Sequence, residues 1–160
     1  MERVGILEGL REGHAAALLD APLSFLGLTM IVAQAAEHLP GALDMLAISP
    51  RSVIPEQGAL PTCRLLLLPG SRSTLIHRLQ ADCVMSYGTS PKDSLTLSSV
   101  ESHRLTFSIQ RDLITLTGET IERQEISLAP GSRREPLDLL FRGGLFLLLG
   151  VPVEQLPDLL

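Results

Sequence analysis

Two short stretches carry the side chains best suited to holding a ligand. The first, GSRST, runs from Gly70 to Thr74 and follows the apolar run RLLLLP. The second, GTSPK, runs from Gly88 to Lys92 and follows CVMSY. A glycine placed directly after a buried strand lets the chain turn and lets a ligand approach the main chain. If a helix starts at Gly70, its first amide N–H groups lack intrahelical partners, and with the helix dipole they attract an anion. Ser71, Ser73, Thr74, Thr89 and Ser90 add hydroxyls, and Arg72 and Lys92 add positive charge. The same residues also read as plain turns, with Ser71 capping a helix and Gly88 to Pro91 following a strand closed by Tyr87. Neither stretch is a recognised nucleotide loop. GxxxxGK[ST] requires a Gly-Lys pair that does not follow Gly70, and GxGxxG occurs nowhere.

Other chemistries find less material. His14, His38, His77 and His103 are dispersed, and none pairs with a second His or a Cys at metal-ligand spacing. No metal and no cofactor are therefore expected. There is no GxSxG elbow. Glu119, Glu122 and Glu125 are spaced by three along a predicted hairpin, which suits a polar turn and strand entry better than an acid/base pair. Cys63 and Cys83 fit no CxxC spacing, and two thiols make no disulfide framework. They read as reduced packing residues in a cytoplasmic protein.

The elements that would position these loops follow from hydrophobic pattern. VGILEG suggests a short strand and EGHAAALLD a short helix ending before Pro22. LTMIVA, Leu28 to Ala33, reads as a buried strand. A helix is predicted from Pro40 to Ala47, because proline fits a first helical turn. A loop with three prolines follows. Then come a strand with no polar face (RLLLLPG), a helix (SRSTLIHRLQA, with Leu75, Ile76 and Leu79 on one side) and a second apolar strand (DCVMSYG). Such a parallel unit puts Gly70 and Gly88 at the same sheet edge, where ligands of open α/β sheets bind. Beyond Pro91 the period changes to two. DSLTLSSV, RLTFSIQ, DLITLTG and EISLAP alternate, as antiparallel or edge strands do. A turn at Gly118–Glu119 separates the last two. Leu137 to Leu149 forms an apolar helix that Gly143–Gly144 either breaks or lets pack closely, with Gly150 as its C-terminal cap.

Composition narrows the partners. A chain of 160 residues supports one good core. With four Phe, one Tyr and no Trp, that core is aliphatic, and a base-stacking surface is excluded. Thirteen basic against 18 acidic residues give a net charge of −5. The basic clusters, Arg72 to Arg78 and Arg133–Arg134, are too short for a duplex-binding face, so no nucleic acid is expected. Ala21 to Ala36 is uncharged, but a mixed-charge segment precedes it and it is short for a span, so neither export nor a membrane is expected.

Within VMSYGTSPKDSLTLSSVESHRLTFSIQRDLITLTGETIERQEISL, the turn Tyr87–Gly88, the strand Thr96 to Ser99, Gln110–Arg111, Gly118 and Ile121 to Glu125 resemble a group of small bacterial α/β proteins of clostridial type. The resemblance covers roughly residues 28–150 and brings no activity with it. Met85 to Gly88 and Leu147 to Val153 are also similar to the central domain of the Mur ligases of peptidoglycan synthesis, in its strand-ending turn and its LGV-ended helix. Those ligases hold ATP through a Gly-Lys-Thr loop that this chain lacks, so the likeness does not imply ligase activity.

The expected fold is α/β within one domain. A half-Rossmann βαβαβ parallel core spans 28–91, a β-rich antiparallel extension 92–130 and a helical cap 136–160, with residues 1–27 as an N-terminal extension. The expected function is non-enzymatic binding of a small anionic ligand or a protein partner. The alternative is an enzyme acting on a nucleotide or cell-wall precursor. The apolar segment 137–149 is a candidate homodimer face.

Overall fold

The computed structural model describes residues 2–18, 27–101, 104–128 and 134–160. Residues 21–26 of the uncharged segment, His103 and Arg133 lie outside them. The strands are β1 (Glu2–Leu7), β2 (Leu28–Ala33), β3 (Ala42–Ile48), β4 (Thr62–Pro69), β5 (Ala81–Tyr87), β6 (Leu95–Glu101), β7 (Arg104–Ile109), β8 (Leu113–Ile114), β9 (Thr120–Ile121) and β10 (Gln124–Leu128). Two α-helices follow, α1 (Pro136–Leu148) and α2 (Leu156–Leu159). An eight-stranded sheet runs in the order β10-β7-β6-β5-β4-β3-β1-β2, and β8 and β9 form a small hairpin. All neighbours from β2 to β6 pair in parallel, and β7 is antiparallel to both β6 and β10. The protein is thus an α/β fold with a mostly parallel sheet and helices at its C-terminal end. Among the described residues, no helix is long and apolar enough to cross a membrane.

Three expectations are corrected. Residues Pro40 to Ala47 do not form a helix, because β3 occupies Ala42–Ile48 between β1 and β4. Leu43, Met45, Leu46 and Ala47 are good helix formers, but a short apolar run covered on both faces reads alike as helix or strand. The first 27 residues are not a mere extension, since β1 lies inside the sheet between β2 and β3 with Val4 and Ile6 fully buried. Finally, the crossover between β4 and β5 is an interrupted 3-10 turn, Gly70–His77, where a helix was expected.

The α1 helix closes the core over the other face of the sheet. Gly143 and Gly144 do not break it; they admit the sheet. A Cβ on Gly143 would lie 2.5 Å from Phe107 Cε2, and one on Gly144 would lie 2.8 Å from Leu95 Cδ1. The helix ends in a glycine cap, with Gly150 at φ 90°, its N–H donating to Leu147 O, and Val151 N–H donating to Phe146 O. Leu139 to Phe141 and Leu145 to Leu149 are buried within the chain itself, so the apolar segment that suggested a homodimer is not a free face.

Candidate functional site

Gly70 and Gly88 do share one rim. β4 and β5 are parallel neighbours, with Leu65 opposite Cys83 and Pro69 opposite Tyr87, and each strand ends at its glycine. The chain then turns and β6 starts beside the end of β5, with Leu95 opposite Tyr87 and Gly88 N–H donating to Leu95 O at 3.1 Å. A cleft of about 670 Å³ opens at these carboxyl ends. Its walls include Gly70, Ser71, Ser73, Gly88, Thr89, Ser90 and Lys92, joined by Asp93 and Arg111.

Arg72 and Thr74 are not among them. The 3-10 turn is interrupted at Arg72, whose φ of −111° and ψ of 24° leave helical geometry. Arg72 and Thr74 instead face an adjoining cleft of about 440 Å³, shared with Arg51, Ser52 and Ser71, where Arg72 Nη1 donates to Ser52 Oγ at 3.2 Å. The break also removes the continuous helix whose dipole was expected to favour an anion at Gly70. Arg78, from the same basic cluster, donates to the carbonyls of Pro55 and Gly58 and so pins the proline-rich loop.

Asp93 and Arg111 are the charged cleft residues that sequence reasoning missed, and Asp93 sits at the cleft's centre. It is 5% exposed, and its carboxylate lies against both glycines. A Cβ on Gly70 would overlap Asp93 Oδ1, and one on Gly88 would lie 2.5 Å from Oδ2. Asp93 and Ser90 clasp each other: Ser90 N–H donates to Oδ2 at 3.1 Å and Asp93 N–H donates to Ser90 O at 3.0 Å. An acidic side chain at the end of a Ser-Pro-Lys-Asp turn was the available signal, since Asp commonly bonds nearby backbone in turns. Lys92 and Arg111 are exposed at the mouth, and Arg111 Nη2 donates to Lys92 O at 2.7 Å. Cations thus stand at the entrance and a carboxylate stands on the floor. Tyr87 closes β5 as expected, but its hydroxyl donates to Ile48 O at 2.7 Å and ties β5 to β3; burial pushes its pKa far up.

A second polar cluster lies where the chain changes its direction of propagation through the sheet, beyond the ends of β1 and β3. Glu12 Oε1 accepts from Gly9 N–H at 2.6 Å and from Ser49 Oγ at 2.5 Å, and Glu12 Oε2 lies 3.0 Å from His14 Nε2. His14 is 2% exposed. Asp138 Oδ1 lies 3.4 Å from the same nitrogen, and Glu8 Oε2 accepts the N–H groups of His14 and Ala15. Burial alone would raise the Glu12 carboxyl, but the bonds from Ser49, Gly9 and His14 outweigh it and hold the group below the usual value of 4.5.

Glu12, His14 and Asp138 offer ligand atoms within 4.8 Å of one another, a grouping that spacing did not reveal. Arg142 decides what it does. Its Nε donates to His14 Nδ1 at 3.0 Å, which leaves the ring proton on Nε2, facing the carboxylates. A metal on Nε2 would require that proton on Nδ1, against the guanidinium N–H, whereas ligating histidines donate through their second nitrogen to an acceptor. The arrangement is a hydrogen-bonded lock that disfavours a metal on Nε2, with Asp138 Oδ1 left buried and without a hydrogen-bond partner among the described residues.

Cys63 and Cys83 sit on adjacent strands with both thiols free, and burial pushes Cys63 up to about 11. Neither a family model nor a curated protein matches this chain in sequence.

Proposed function

We propose that the protein is a binding module for a small organic anion, held in the cleft beyond β4 and β5. One observation carries the reading: two post-strand loops converge on one cleft whose mouth bears Lys92 and Arg111. Its volume lies in the range of small-molecule sites. Its position satisfies half of the rule for open α/β sheets: it lies beyond the carboxyl strand ends, while the reversal of strand order falls at β1 and β3. Gly70 and Gly88 make room for Asp93 on the floor, Ser71, Ser73, Thr89 and Ser90 offer hydrogen bonds, and Lys92 and Arg111 neutralise the ligand. Arg72 and Thr74 serve the adjoining cleft and act on the ligand only if it reaches past Ser71.

Inorganic phosphate tests this directly. In the intact chain it is expected to raise the melting temperature in a saturable way, as any ligand selective for the folded state does. The double variant Lys92→Ala/Arg111→Ala is expected to lose most of that rise while keeping its own ligand-free melt. An equal rise in both chains, or none in either, would refute the reading.

A further inference from the structure

We infer that the ligand of this cleft is a polyhydroxylated anion of sugar phosphate type, presenting hydroxyl groups to Asp93 and its anionic group to Lys92 and Arg111. The inference rests on the anion-binding reading and adds the second half of the ligand. Asp93 is nearly buried, yet it lines the cleft. Its Oδ2 already accepts from Ser90 N–H. Among the described residues, no side chain or backbone group donates to Oδ1, which lies against Gly70. An ionised carboxylate only accepts hydrogen bonds, so a ligand that fills the cleft meets this oxygen best with a donor. It also repels a second anion placed beside it, which sends the ligand's charged group to the mouth.

Charge balance separates two candidates with donors. Lys92 and Arg111 together outnumber Asp93 in this cleft, leaving one net positive charge if all three are ionised. A zwitterionic amino acid matches that surplus poorly. A phosphate ester, with roughly one and a half to two negative charges at pH 7, more than offsets that surplus, and the hydroxyls of Ser71, Ser73 and Thr89 supply further partners along the wall.

The test compares glucose 6-phosphate with cyclohexylmethyl phosphate, which keeps the ring and the anion but lacks the hydroxyls, with inorganic phosphate as a third probe. Titration calorimetry on the unaltered chain is expected to give at least a tenfold preference for glucose 6-phosphate over cyclohexylmethyl phosphate. Asp93→Asn is expected to shrink that preference severalfold while phosphate binding stays equal or tightens. Equal affinity for the two esters, with phosphate still bound, would overturn this inference and leave the anion reading standing. Binding of none of the three probes would overturn both. Because the ratio is measured on the unaltered chain, the outcome does not depend on whether Asp93→Asn folds.

Discussion

Gly70 and Gly88 are small because Asp93 fills the space a Cβ would need. The steric demand comes from a carboxylate whose own turn fixes it, through the paired bonds with Ser90. Gly70→Ala is therefore expected to destabilise the fold by about 1–3 kcal/mol, the usual range for overpacking. In an Asp93→Ala background the same change is expected to cost clearly less. Urea unfolding of the four chains reads the coupling, and additive costs would show that the two residues do not compete for one volume. The glycines were legible because each follows an apolar strand, and so were their hydroxyl neighbours. Asp93 was not legible. In the sequence it is one polar residue of a turn, and its importance arises only when two strand ends and that turn meet.

At the scale of elements, alternation and most short apolar runs were dependable signals: LTMIVA, RLLLLPG and DCVMSYG located β2, β4 and β5, and the run at β3 was the exception. The two-residue period located β6, β7 and β10, and the long apolar segment located α1 with its Gly150 cap. β3 was misread because Ala42 to Ala47 satisfies helical propensity and the sheet overrides it. The connection after Gly70 was read as a continuous helix because the spacing of Leu75, Ile76 and Leu79 carries no mark of the break at Arg72. Gly143 makes a prediction at this scale. Alanine would gain about 1 kcal/mol in helix propensity. Against this, the added methyl would meet Phe107, which is fully buried between helix and sheet and cannot swing away. Overpacking of about 1–3 kcal/mol wins. Gly143→Ala is expected to lower the urea midpoint, and a rise would mean that α1 does not depend on this close approach.

Across the whole molecule, the His14 cluster fastens segments that are remote in sequence. His14 and Arg142 are separated by 128 positions, and Ser49 joins them from the end of β3. No spacing rule could have found it whole, because it joins the segment after β1, which holds Glu8, Glu12 and His14, to Ser49 after β3 and to Asp138 and Arg142 on α1. His14→Ala would strip Glu12 of a donor and leave Arg142 without its acceptor, at a cost of about 3 kcal/mol by the measure of buried polar groups that lose partners. The acid side gives an independent check. The Glu12 carboxyl sits below its usual value in the folded state, so its stabilisation is complete above that value and is lost as the pH falls through the folded one. The melting temperature is expected to fall more steeply between about pH 5 and pH 3 in the natural chain than in Glu12→Gln. Parallel curves would show that Glu12 titrates alike folded and unfolded.

The order of the sheet also governs how the chain is made. β1 precedes both of its sheet neighbours, β2 and β3, and the latter ends only at Ile48. The sheet face that carries Leu67, Leu95 and Phe107 waits longer still, because the helix that roofs it starts only at Pro136. A polypeptide cut before Pro136 therefore displays a broad apolar plane in place of that roof.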